Sequence, residues 1–356
     1  MDGQEGQDKK RAGEPWALIR GHTHPHALAA PIPAYRYHPP MIDVNTLSLP
    51  DLYAHLRESG IIRRLFELAR DEDLGPDGGS AWERGDVTTR AMIISEIRRG
   101  TARIVARRPG VCSGLAVVDD LLHVFKADVD FAPAANDGER LEPGRSLGTL
   151  SGNLRAILGL ERTLLNTLGR MCGVATRTAE HVAIIEGTRA KLLDTRKTTP
   201  GMRMLEKYAV RCGGGLCHRI GLFDAALIKD NHLAGIGLAE LPAFLTRAVR
   251  AARMEAPLDS LTFVEVEVDQ LEQFKAILAA GGCGVGIVLL DNMHPAELRQ
   301  AVEMRDAASS KILLEASGGI TKDNLRAAAE TGIDRISLGT LTHGATWVDI
   351  GLDMTA

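Results

Sequence analysis

Apolar positions along this chain fall into three patterns. Leu52, Leu56, Ile61, Ile62, Leu65, Phe66 and Ala69 recur at roughly helical spacing behind a possible cap at Ser48 or Asp51, so folded structure is expected from near Asn45. Between Ala91 and Leu150, β-like runs at Ala102 to Ala106 and Val124 to Phe131 are split by the turn sequences Pro109-Gly110, Asn136-Asp137-Gly138 and Pro143-Gly144. That mixture predicts a small α+β domain. A long helical pattern then runs from Gly159 to Ile185, with Leu164, Leu165, Leu168 and Met171 on one face.

The third pattern is a series. Short apolar runs at Lys191 to Leu193, Ala226 to Ile228, Phe263 to Val268, Ile287 to Leu290, Ile312 to Leu314 and Arg335 to Leu338 recur at intervals of roughly 23 to 38 residues, about one strand-plus-helix unit. Helical segments such as Leu238 to Arg253 and Leu271 to Ala280 separate them. Right-handed units in series build a parallel sheet. Each run ends in polar residues, in order Asp194-Thr195-Arg196-Lys197, Lys229-Asp230-Asn231-His232, Glu265-Val266-Glu267, Asp291-Asn292, Glu315-Ala316-Ser317-Gly318-Gly319 and Gly339-Thr340. An α/β barrel gathers strand ends at one rim and places its active site there, whereas a doubly wound sheet uses one switch point. Six loaded ends favour a barrel short of the usual eight strands.

Composition narrows the class. The chain has 356 residues, 45% of them apolar, which is enough for a sizeable core. A formal net charge of -4 argues against nucleic acid as the main partner, so the basic cluster near Arg196 is local. Cys112, Cys172, Cys212, Cys217 and Cys283 are irregularly spaced and odd in number, which predicts reduced thiols in a cytoplasmic protein. No run of 18 apolar residues suits a membrane span, and the first residues lack the apolar core of a signal peptide. Residues 1–41, rich in Gly, Pro, His and Ala, are expected to be a disordered tail. Its His22-Thr23-His24-Pro25-His26 lacks the fixed geometry of a metal site, and Lys9-Lys10-Arg11 reads as a solvated charge run. Gly75 to Gly85 reads as a loop.

The strand-end residues sort into a chemistry. Ser317-Gly318-Gly319 and Gly339-Thr340 offer backbone amides for a phosphate after the last two strands. Glu267 and Asp291 suit a hard cation such as Mg²⁺. Arg196, Lys197, Arg219 and Lys229 remain for other negative charge, Arg as a fork and Lys as a point charge. Plainer readings stand beside these. Glu265, Glu267 or Asp291 could be structural ion-pair partners, and the Ser317 turn could be only a tight connection. Cys212, Cys217 and His218 resemble half a metal site, with buried thiols the default. Arg203, Lys207 and Arg211 lie at i, i+4, i+8, which suits a solvated or partner-facing stripe as well as substrate contact.

At this point the motifs match a family. Glu161-Arg162-Thr163-Leu164-Leu165-Asn166, DTRKTTPGMRMLEKYAVRCGGG with His218-Arg219, LIKDNH, VEVEV, LLDNM, LEASGGI and ISLGTLTH closely resemble quinolinate phosphoribosyltransferase, a glycosyltransferase of the pentosyltransferase class. The resemblance spans roughly Asp71 to Asp349 and includes Gly85-Asp86-Val87-Thr88-Thr89. It implies Mg²⁺-dependent transfer of phosphoribose from 5-phosphoribosyl pyrophosphate to quinolinate, giving nicotinate mononucleotide, pyrophosphate and CO₂ in NAD biosynthesis. It also implies a type II fold. An N-terminal α/β sandwich over residues 42–158, joined by 341–356, would accompany an incomplete, about six-stranded α/β barrel over 159–340. The partners would be a second copy in a homodimer with shared active sites, with no nucleic acid or membrane. By motif position, Arg162 (from the other subunit), Arg196, Lys197, His218, Arg219 and Lys229 would line the dicarboxylate pocket. Glu267 and Asp291 would hold Mg²⁺ and ribose hydroxyls, and Ser317, Gly318 and Gly339 the 5-phosphate. The catalytic set would be Lys197, His218, Lys229, Glu267 and Asp291, with Lys197 and His218 both open as aids to decarboxylation.

Cys217, where Asn is expected, and Gly344, where Ser is expected, depart from the pattern. Val117-Val118-Asp119-Asp120 looks like the acidic pair of the other phosphoribosyltransferase fold, but no Gly or Thr follows, so a helix with two acids facing water is the preferred reading. Two alternatives stay open: a paralogue of the same fold associated with molybdenum transport operons, and a non-catalytic phosphoribosyl-ligand binding protein.

Overall fold

Helix α1 (Leu49–Arg57) begins at one of the two expected caps, where Ser48 is extended and its Oγ accepts the Asp51 N–H at 3.3 Å. The structure, a computed structural model, describes residues 42–76, 85–93, 95–256 and 261–355. The tail with its His22 to His26 run, Lys9-Lys10-Arg11 and part of the Gly75 to Gly85 loop lie outside the described residues. The first helical pattern is two helices, because Gly60 adopts φ 67° between α1 and α2 (Ile61–Leu74). Helix α3 (Val87–Met92) is capped by the Asp86 carboxylate. Helix α4 (Val118–Val124) takes Val124 out of the expected β-run: Val118, Leu121, Leu122 and Val124 are buried at helical spacing, and Lys126 turns at φ 50° before the strand starts. Its Asp120 does more than face water, since it accepts the Tyr53 hydroxyl at 2.5 Å and pairs with Arg57.

Strands β1 (Arg99–Ala106), β2 (Gly110–Val111), β3 (Val129–Pro133), β4 (Arg140–Leu141) and β5 (Ser146–Asn153) make the N-terminal β-structure, in which β2 and β4 form a separate pair. Helix α5 (Leu154–Ile184) starts at Leu154 rather than Gly159, because Asn153 Oδ1 caps it by accepting the Ala156 N–H. The chain's end lies against this helix: a Cβ on Gly173 would stand 2.1 Å from the Thr346 carbonyl oxygen, so only glycine allows the approach.

The six apolar runs are the six parallel strands β6 (Lys191–Leu193), β7 (Ala226–Ile228), β8 (Val264–Val268), β9 (Ile287–Asp291), β10 (Leu313–Ser317) and β11 (Arg335–Ser337), in the order β6-β11-β10-β9-β8-β7. Helices α6 (Arg203–Cys212), α7 (Asp230–Leu233), α8 (Leu241–Glu255), α9 (Leu271–Ala279), α10 (Pro295–Ala307) and α11 (Lys322–Ala329) connect them. The last strand, β12 (Ile350–Thr355), returns to the N-terminal structure and pairs antiparallel with β1, completing a four-stranded sheet of order β12-β1-β5-β3.

The barrel is incomplete because β6 and β7 share no ladder. One bridge, Leu193 to Leu216, ties β6 to the segment before β7. Side chains reinforce that seam. Lys207 Nζ donates to both Asp194 oxygens at 2.7 and 2.8 Å and to the His218 carbonyl at 3.1 Å, while the His218 N–H donates to Asp194 Oδ1 at 2.8 Å. Asp194 and Lys207 are both fully buried. Burial pushes the Asp194 carboxyl pKa up, and Lys207 with the His218 amide pulls it back. Of the readings open for the basic residues of α6, a purely solvated stripe is not the outcome: Lys207 is buried, Arg211 donates to the Val44 and Leu47 carbonyls, and Arg203 to Thr198 and the Ile220 carbonyl. Replacing Lys207 by Met should lower the unfolding free energy by about 3–5 kcal/mol in urea titrations, because Asp194 is left as a lone buried charge. Adding Asp194→Asn to that variant should recover much of the loss.

Candidate active site

The barrel mouth is built from the β6, β8 and β9 ends and the turns that follow. After β6 the chain runs through Arg196 and Lys197 and is pinned at both sides. Thr199 gives its N–H and hydroxyl to Glu206 at 3.1 and 2.7 Å, and the Lys197 carbonyl accepts the Thr342 hydroxyl at 2.7 Å. Glu206 is itself held by Arg170 of α5 at 2.6 Å, a buried pair whose arginine also reaches the Thr342 and Ala345 carbonyls.

Three guanidiniums converge here: Arg196, Arg219 and Arg203. Burial first, and then the charge of Arg196, lowers the pKa of both Arg203 and Arg219 below the ordinary guanidinium value. Among the described residues no carboxylate lies at salt-bridge distance from any of the three. The buried Arg196 Nε has no hydrogen-bond partner. Such a cluster has positive charge to spare for a compact anion with more than one acidic group.

Beside it, Glu267 Oε2 sits 2.8 Å from Lys229 Nζ. The Asp291 carboxyl is pushed above its usual range by burial and then by Glu267, so the two acids feel each other. The glycine turn after β10 closes on the same place. Gly318 has φ 78° and Gly319 φ 60°, and a Cβ on Gly318 would lie 2.7 Å from Asp291 Oδ1 and 2.4 Å from Asn292 Oδ1. The turn is more than a tight connection, because its backbone lies directly against the acid at the end of β9. A Cβ on Gly339 would stand 2.7 Å from Lys197 Cδ and 3.3 Å from His343 Nε2. The Lys197 stem thus crosses Gly339, with His343 alongside.

His218 faces the other way, into the barrel. Its Nε2 is 2.9 Å from Glu265 Oε2 and 3.4 Å from Glu315 Oε1, and its Nδ1 accepts the Arg219 N–H at 2.7 Å. Phe263 packs edge-on to the ring. Burial alone would lower the imidazole pKa, but Glu315 and Glu265 outweigh it and raise it. The Arg219 amide works against a second proton by using the Nδ1 lone pair. Glu265 is pushed up by burial and by Glu315, while Glu315 is held low against burial by His218 and Arg335, whose Nε is 2.6 Å away. The ligand atoms of His218, Glu265 and Glu315 lie within 4.8 Å of one another, as a metal site would need. A metal there is disfavoured, because with Nδ1 accepting a hydrogen bond the neutral ring keeps its proton on Nε2, the atom that would have to ligate.

The structure thus brings Arg196 and Arg219 together, sets Glu267, Lys229, Asp291 and Gly318 in a second group, and lays Lys197 over Gly339. It does not bring in Arg162, which is exposed on α5 beside Thr163, whose hydroxyl donates to Asp73 of α2. Cys212 and Cys217 are buried free thiols. Cys217 is held through its backbone, with Asn45 bridging its N–H at 2.7 Å and its carbonyl at 2.9 Å. At Gly344 a Cβ would stand 2.9 Å from the Thr340 carbonyl, so the serine expected there would need adjustment. Sequence reasoning gave no role to two residues here. Glu315 is an acid inside β10, and His343 follows the Gly339 turn within one helical step. An acid two positions before a strand's last polar residue is the signal that could have marked Glu315.

Comparison with known proteins agrees with this geometry. The model described as quinolinate phosphoribosyl transferase, N-terminal domain, matches residues 86–172, and its C-terminal counterpart matches 174–353. The chain is 43% identical over 273 residues to a nicotinate-nucleotide pyrophosphorylase [carboxylating] of Mycobacterium leprae, covering 76% of this chain and 91% of that one. A probable enzyme of the same name from Bacillus subtilis is 38% identical over 271 residues, covering 76% and 88%. The solved nicotinate-nucleotide pyrophosphorylase of Francisella tularensis superposes with a TM-score of 0.71 at 32% identity, over 89% of this chain and 100% of that one. This chain belongs to the quinolinate phosphoribosyl transferase family.

Proposed function

We propose that this protein transfers phosphoribose from 5-phosphoribosyl pyrophosphate to quinolinate with loss of CO₂, giving nicotinate mononucleotide and pyrophosphate for NAD biosynthesis. The observation that carries this reading is the set of guanidiniums at Arg196, Arg203 and Arg219 with no carboxylate at salt-bridge distance among the described residues, at a barrel mouth that also holds the Glu267 and Asp291 carboxylates. Quinolinate carries two carboxylates, and a water-poor pocket accepts them only if fixed cations replace the lost hydration. Arg196 and Arg219 supply that charge as forks, with Arg203 behind them.

Glu267 and Asp291 fit a divalent cation, because burial and then the charge of Glu267 raise the Asp291 pKa, and positive charge between the two acids would relieve both. Bound there, Mg²⁺ would neutralise the departing pyrophosphate. Lys229, paired with Glu267 and acting on Asp291, adds a cation to this acidic group. The amides and hydroxyl of Ser317 and Gly318, with the turn at Gly339, offer donors to the 5-phosphate. The pyridine nitrogen takes C1 of the ribose as the C1–O bond to pyrophosphate breaks, and the ring nitrogen becomes cationic. The C2–carboxylate bond then breaks, its electron pair stays on the ring, and a proton adds at C2. For that step Lys197 is favoured over His218. Its ammonium has no carboxylate at salt-bridge distance among the described residues, whereas both imidazole nitrogens are engaged inside the barrel.

The active unit in this reading is a homodimer in which Arg162 completes the partner's pocket; its exposure on α5, away from its own guanidinium cluster, supports this. Five buried free thiols support a reducing compartment, the cytoplasm. No helix among the described residues is long and apolar enough to cross a membrane.

Purified protein with quinolinate, 5-phosphoribosyl pyrophosphate and Mg²⁺ should form nicotinate mononucleotide by its ultraviolet absorbance, and chelation should stop it; no product would sink the reading. In the same assay Lys229→Ala should lower kcat/KM at least about tenfold, or about 1.4 kcal/mol. Mixing inactive Arg162→Ala and Lys197→Ala dimers and allowing exchange should restore about a quarter of native activity, since half the dimers then hold one intact site of two. Absence of restoration would place each site within one subunit.

A further inference from the structure

The inner acids Glu265 and Glu315 lie one pleat below the rim, outside every role assigned above. Both are fully buried, and neither Glu265 oxygen nor Glu315 Oε1 has an aligned hydrogen bond, although His218 Nε2 stands 2.9 and 3.4 Å from them. Buried carboxylates with so little satisfaction are costly unless they hold something in place. What they meet is the imidazole edge opposite the one that accepts the Arg219 N–H. Arg335 flanks the pair through Glu315 and stacks over Phe263, which walls the ring. The line of contact therefore runs from the barrel floor, through both nitrogens of one ring, to the backbone of a pocket arginine. Beyond Arg219 the chain is tied down again: the Ile220 and Gly221 N–H groups donate to Asp224, and Arg219 Nη1 reaches the Ala225 carbonyl at 3.3 Å.

We infer that Glu265 and Glu315 are positioning residues for the dicarboxylate pocket. They fix the His218 imidazole from inside the barrel, and His218 fixes the Arg219 main chain so that its guanidinium meets the substrate carboxylate. His218 then transmits position and moves no proton to or from substrate. Arg219 owes its place to this contact more than to its neighbours in sequence. Loss of the inner acid should weaken binding of the dianion while leaving the phosphoribosyl half of the site, built on the outer acid Glu267, on β9, on the turn after β10 and on Gly339, as it was.

The inference rests on the quinolinate reading, and the two can fail separately, since native enzyme without turnover ends that reading before any variant is compared. With turnover in hand, the test is steady-state kinetics of the full-length dimer. Glu265→Ala should raise the KM for quinolinate about tenfold, with kcat and the KM for 5-phosphoribosyl pyrophosphate staying within about threefold. Glu265→Gln, whose amide oxygen can still accept from Nε2, should restore the quinolinate KM to within about threefold of native. His218→Phe, which keeps ring packing but breaks the link to Arg219, should give the same KM rise, and the double variant no more than either single one. A native quinolinate KM in Glu265→Ala, equal losses for both substrates, or additive losses in the double variant would overturn the inference. Should Glu265→Ala not accumulate as folded dimer, His218→Phe alone decides: a native quinolinate KM, or a fall in kcat with KM unchanged, overturns it.

Discussion

The buried Asp194–Lys207 pair is the interaction on which the barrel mouth depends. Six parallel strands leave β6 and β7 without a common ladder, and an unclosed edge beside a ligand site would be free to spread. Lys207 reaches across that gap from α6 to the carboxylate ending β6 and to the His218 carbonyl, while Asp194 takes the His218 amide. Two charges thus do what a strand pair does elsewhere in the sheet. Because both are buried, neither can leave without stranding the other, which makes the seam stiff where hydrogen bonds between strands are missing.

That seam separates what the sequence discloses from what it hides. The six barrel strands are legible because parallel strands are covered on both faces and read as unbroken apolar runs, and each ends in polar residues at the rim. Family motifs made the rim residues legible too. The hidden part is depth. Glu265 and Glu267 differ by two positions on β8, so they point to the same side, yet one is fully buried and the other lies at the mouth beside Lys229. Nothing local in Val-Glu-Val-Glu-Val tells the inner acid from the outer one; that follows from how deep each position lies in the sheet, where Glu265 is fully buried and Glu267 partly buried. The direction of His218 is hidden for the same reason, since its partners come from strands about 45 and 95 residues further along. The split at Gly60 and the early start of α5 at Asn153 are cap effects, decided by one residue's backbone against a longer apolar periodicity.

The mouth and the floor also differ in charge, and the difference is useful. Arg196, Arg203 and Arg219 crowd together with no carboxylate at salt-bridge distance among the described residues, and burial first and then the charge of Arg196 lowers the pKa of Arg203 and Arg219. An anion bound there would offset that crowding, and the Arg196 loop is already tied through Thr199 to Glu206 and Arg170.

The floor has the opposite shortage. Asp194, Glu265 and Glu315 are three buried acids, faced by the permanent cations Lys207 and Arg335. One more proton is needed for neutrality, and it has two homes, the imidazole or the acid pair. Glu315 and Glu265 raise the imidazole's hold on that proton, while the Arg219 amide occupies the Nδ1 lone pair, so the proton stays within the His218–Glu265–Glu315 group. In either state the imidazole's polarity is spent inward.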